Sequence, residues 1–75
     1  MDRSLIEEHL AQANRHVAEG EGHVTKQREL VAQMERDGHD TTEALKLLGH
    51  FEELQELHIA DRNRIEEELR RYPDS

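Results

Sequence analysis

The chain has 75 residues, a formal net charge of −8 at pH 7 and only 33% hydrophobic residues, with one Phe, one Tyr, no Trp and no Cys. A chain this short rarely stabilises itself by more than about 3–5 kcal/mol without a staple, and the absence of cysteine excludes disulfides, so a metal or another copy of the chain has to be considered. Acids outnumber bases nine to five in residues 1–40 and again nine to five in residues 41–75, so no basic patch exists to neutralise phosphates, and neither nucleic acid nor an anionic membrane is expected as a partner.

The apolar runs are too short to span a bilayer. Met1-Asp2-Arg3-Ser4 leads into charged sequence, without the apolar stretch of a secretory leader, so a cytoplasmic location is expected. The missing cysteines agree with a reducing compartment but do not require one.

Ser4-Leu5-Ile6-Glu7 has the form of a capping box and predicts a helix starting at about residue 4, with Glu7 and Glu8 placed to favour its positive end. From His9 to Arg36 one seven-residue phrase is written four times: HLAQANR, HVAEGEG, HVTKQRE, LVAQMER. Its apolar seam steps alternately by four and three through Ile6, Leu10, Ala13, Val17, Gly20, Val24, Gln27, Val31 and Met34. That period marks a helix that lays one stripe against another helix. His9, His16, His23 and Leu30 form one shoulder of the stripe. Gly20 and Gly22 each weaken a helix interior by about 1 kcal/mol. Because the seven-residue phase is the same on both sides of them, the helix is expected to be continuous, with Gly20 making room for a bulky residue opposite.

Gly38 suits the left-handed position after a helix end, and Asp40 with Glu43 has the form of a second capping box. A turn over 37–40 is short enough to force the helices antiparallel. The second helix is expected over about 41–71, stopped by Pro73. Folding the chain about His39 pairs Val31 with Leu47, Gln27 with Phe51, Val24 with Leu54, Gly20 with His58, Val17 with Asp61 and Ala13 with Ile65. The fold class is therefore all-α: a single antiparallel two-helix hairpin, coiled-coil-like, covering residues 1–75. Its apolar stripe is wider than one seam needs, with Leu45, Leu48 and Leu57 flanking it on one helix and Leu30 on the other. A helix with so wide a stripe touches two neighbours, so a homodimer forming a four-helix bundle is expected, with Leu30, Leu45, Leu48 and Leu57 as its interface.

Six histidines raise the question of metal. His9, His16 and His23 are two helical turns apart, about 10.5 Å from one to the next, too far to share an ion. Pairs at chelating spacing are His16–Glu19, Glu19–His23, His50–Glu53 and His58–Asp61, but none is a Glu-x-x-His or His-Glu-x-x-His motif. No metal site and no cofactor are expected, and the histidines are read as amphipathic residues bordering the core. His58 and Asp61 both fall on the extrapolated core stripe, where Asp61 would orient the imidazole. No nucleophile lies nearby and a thin hairpin offers little concave surface, so no enzyme is expected. Glu52, Glu53 and Glu56 form an acidic run that reads first as a solvated face and second as a docking patch for a basic partner. Glu66–Arg70 and Glu67–Arg71 are four-apart pairs that support the helix end.

The phrases HVAEGE and ERDGHDTTEA, together with FEELQ, resemble those of short bacterial helical-hairpin proteins with no established activity. The resemblance spans His9 to Ile65. It implies a bacterial origin and supplies no site residues. The function expected is that of a small acidic, self-associating protein–protein interaction module, its partner undefined. The alternative is a metal-binding or metal-responsive bundle using the boundary histidines.

Overall fold

The computed structural model describes residues 2–72, which form two α-helices packed against each other: α1, Arg3–Arg36, and α2, Thr42–Arg70. No strand occurs among the described residues. Pro73, expected to stop the second helix, lies outside them. The helices run antiparallel in a rod of 60 × 14 × 13 Å with a radius of gyration of 17.1 Å, against about 11 Å for a compact chain of this length. Most side chains therefore keep one side in water, and few can be fully buried.

The helix begins earlier than the Ser4 capping box implies. Asp2 is the N-cap, in extended conformation (φ −68°, ψ 138°), and its carboxylate accepts the Ser4 amide at 3.3 Å. Its carbonyl also accepts the amides of Leu5 and Ile6 at 3.1 and 3.2 Å. An Asp in that position satisfies the same orphan amides as Ser and adds negative charge at the positive helix end. Glu7, now beyond the first turn, instead lies 3.8 Å from Arg3.

α1 is unbroken through Gly20 and Gly22, as the constant heptad phase predicts. It ends in a Schellman turn: Gly38 has φ +75°, its amide donates to Glu35 at 3.2 Å, and the His39 amide donates to Met34 at 2.8 Å. The second capping box does not close. Asp40 accepts both the hydroxyl (2.7 Å) and the amide (3.0 Å) of Thr42, while Glu43 reaches forward to Lys46 at 4.0 Å. These two hydrogen bonds from Thr42, the hydroxyl's first, hold the Asp40 carboxyl below the usual carboxylate range.

The core is a line rather than a volume. Ile6, Ala13 and Ile65 form its buried cluster, with Leu10 and Leu69 packed against them. Val24, Gln27 and Val31 continue it toward the turn. Ile6, 1% exposed, contributes about 1.5–3 kcal/mol by leaving water. The open ends of the helices are tied where the Arg3 guanidinium donates to the Tyr72 carbonyl.

The seam of α2 departs from the expected one. It runs through Ala44, Leu48, Phe51, Gln55, His58, Arg62, Ile65 and Leu69, all half-buried or buried, while Leu47, Leu54 and Asp61 face outward. Facing residues are offset by about one turn from a fold centred on His39: His23 meets Phe51, His16 meets His58, and Gly20 lies nearest Gln55. Gly20 still approaches His58, as expected, with a notional Cβ 3.5 Å from its Cδ2.

Candidate functional site

Two glutamines cross the seam and grip the backbone of the opposite helix. Gln27 donates to the Ala44 carbonyl and Gln55 to the Val17 carbonyl, each at 2.9 Å. The Gln55 Oε1 is buried without a hydrogen-bond partner. Both amides lie where a leucine would pack, so they lower stability in exchange for fixing how the helices align. Gln27 was visible in the sequence as a polar break in the seam. Gln55 was not, because the expected seam ran through Leu54.

The seam divides the rod into two unlike sides. On one, Glu21, Thr25, Arg28, Glu52 and Glu56 line a groove of about 490 Å³ over Val24 and Gln55. Arg28 and Glu52 pair across it at 2.9 Å. Of the acidic run read as a docking patch, Glu52 is therefore already engaged, Glu56 lines the groove, and Glu53 stands exposed without lining it. Leu45, seven residues before Glu52, falls on this charged side.

On the other side His16, Glu19, Gly20 and His23 of α1 meet Phe51, Leu54 and His58 of α2 around a groove of about 340 Å³. His23 stacks on Phe51 with ring centres 5.5 Å apart and planes 20° from parallel. His16 and His58 lie with ring centres also 5.5 Å apart, tilted by 46°. Toward the helix ends His16 also borders a hollow with His9, Asp61 and Glu68.

Leu30, Leu47 and Leu54 remain 45%, 43% and 51% exposed. Leu47 and Leu54 are seven residues apart, and Leu57 follows three later, which places all three on the side of α2 that carries Phe51. Leu30 lies one heptad beyond His23 on α1 and so belongs to the same side. Of the four leucines expected at an interface, Leu30 and Leu57 thus share this side, Leu45 is on the other, and Leu48 turns into the seam.

The expected His58–Asp61 pair does not form. Asp61 faces outward and bonds Arg64, three residues on, and the neighbour of His58 is His16, a contact that no local spacing announces. Glu67 pairs with Arg71 at 4.0 Å and with Arg70 at 2.6 Å, whereas Glu66 turns back to Arg62 at 3.3 Å. Among the described residues no three His, Cys, Asp or Glu side chains converge as a metal cluster, and no helix is long and apolar enough to cross a membrane.

The chain is thus an elongated two-helix hairpin with a leucine- and histidine-bearing side and a charged side. Comparison with family models, curated proteins and solved structures gave no match.

Proposed function

We propose that the hairpin is a self-associating interaction module, a binding protein rather than a catalyst, in which two copies join their leucine-bearing sides into an antiparallel four-helix bundle. The observation that carries this is the row of outward leucines (Leu30, Leu47, Leu54 and Leu57) on one side of a rod whose own core is a single line. One side of a rod 60 Å long and 14 Å wide presents about 800 Å², close to the roughly 800 Å² per partner of a standard protein interface. Burial of these leucines supplies the second subunit that a chain of this size needs. The charged side stays free, and Glu21, Glu53 and Glu56 make it a surface for a basic partner, with Arg28 and Glu52 setting its register.

Glutamate at both Leu47 and Leu54 tests the proposal. The double variant should keep the helical circular dichroism of the hairpin and halve the mass measured by light scattering. An unchanged mass would remove this side from the interface.

A further inference from the structure

We propose that His16 and His58 form a two-histidine clamp for one divalent late first-row metal ion, of the zinc, nickel or copper class, held across the two helices. Neutral imidazole is a favoured ligand of these ions. An ion about 2.0–2.1 Å from one nitrogen of each ring stands about 3.2 Å from each ring centre, and at tetrahedral to trigonal angles this puts the centres about 5–5.5 Å apart. The observed separation is 5.5 Å, which matches the span that an ion shared by the two rings requires.

Three features of the chain support the clamp. No hydrogen bond from a described residue engages either ring, so neither gives up a protein partner on binding. The two residues sit on unbroken helices at the place where Gly20 lets α2 come close, with His58 Cδ2 3.5 Å from where a Cβ would lie. The pair is therefore held by backbone on both sides. Glu19 borders the same groove, and in a chain of net charge −8 the surroundings favour a cation.

The remaining histidines are placed differently. His23 is stacked on Phe51, and among the described residues no other pair of histidine rings meets across the helices. Among the described residues no third side chain completes a cluster, so in the single hairpin the remaining positions are open to water. Because the imidazoles must be neutral to ligate, protons compete with the ion and acid weakens binding. Both ligands come from one hairpin, but Leu54 lines the same groove, so the ion and the second copy of the proposed bundle meet on the same side of the rod.

The test is calorimetry of the metal-free full chain with zinc and with nickel, alongside thermal melts with and without each ion. One ion per chain is expected, with a melting temperature raised by at least about 4 °C at saturation, since the ion ties α1 to α2. His16→Gln and His58→Gln should each weaken binding by about tenfold or more and abolish the rise, while His9→Gln and His50→Gln leave both unchanged. Circular dichroism of the metal-free variants separates loss of a ligand from loss of fold. Binding that survives His58→Gln, that is spread over several weak sites, or that needs two chains per ion would overturn the proposal.

Discussion

Gly20 and Gly22 lie two residues apart in the same helix, yet alanine at the two positions should give different results. At Gly22 a Cβ would meet nothing within 4 Å, so Gly22→Ala gains the full helix preference of about 1 kcal/mol. For a domain of this size that raises the melting temperature by about 4–8 °C. At Gly20 the same preference is opposed. The new Cβ would fall on the Gln55 carboxamide, overlapping Oε1 and reaching 2.9 Å from Cδ. Gln55 would have to swing away and release its 2.9 Å bond to the Val17 carbonyl, a loss of about 1 kcal/mol. The two contributions cancel, so Gly20→Ala should melt within about 3 °C of the parent chain, and Gly20→Leu, which also meets His58, should be destabilised by about 1–3 kcal/mol. In a Gln55→Ala background the obstacle is gone and Gly20→Ala should regain the stabilisation. Melts at one fixed protein concentration, followed by circular dichroism, decide the matter. Equal stabilisation by Gly20→Ala and Gly22→Ala in the parent chain would refute the placement of Gln55 against Gly20, and with it the α2 seam.

Two further outcomes follow from the seam and the turn. Gln55→Leu replaces a buried amide whose Oε1 has no partner with carbon, so it should stabilise the chain by about 1 kcal/mol or more in urea unfolding; a loss of stability would show the bond to Val17 outweighing that orphan oxygen. The Asp40 carboxyl is held below its ordinary range by Thr42, so its contribution is present above about pH 3.9 and lost as pH falls through the lower folded-state value. The gap in melting temperature between the parent chain and Asp40→Ala should therefore close in acid, and a gap independent of pH would mean that the carboxylate's charge has no part in the turn.

The first helix was legible because its sequence permits only one phase. Ile6, Ala13, Val24, Gln27 and Val31, the buried residues of α1, all lie on the seam its repeat defines, and the repeat passes through Gly20 without a slip. The turn was legible at Gly38, whose left-handed backbone only glycine adopts without strain. The second helix permits two phases. Ala44, Phe51, His58 and Ile65 belong to both, while Leu47, Leu54 and Asp61 complete one and Leu48, Gln55, Arg62 and Leu69 complete the other. Apolar residues are almost evenly divided between them, so periodicity did not discriminate. The seam that forms accepts Gln55 and Arg62, since Gln55 finds a carbonyl on α1 and Arg62 reaches Glu66 at 3.3 Å. The leucines of the rejected phase become the outward row. For the same reason the His16–His58 contact and the separation of His58 from Asp61 were hidden, because both depend on which way α2 is rotated. The capping boxes misled at both ends for a local reason: Asp2 and Asp40 sit where their carboxylates take the first amides, which leaves Glu7 and Glu43 to pair with Arg3 and Lys46.

The central claim is that two hairpins share one bundle, and sedimentation equilibrium of the unmodified chain tests it most directly. From low micromolar concentration upward the fitted mass should be twice the 8.8 kDa of one chain, with a melting temperature that rises with concentration. A mass of 8.8 kDa at every concentration, with a melt that does not move, would contradict it.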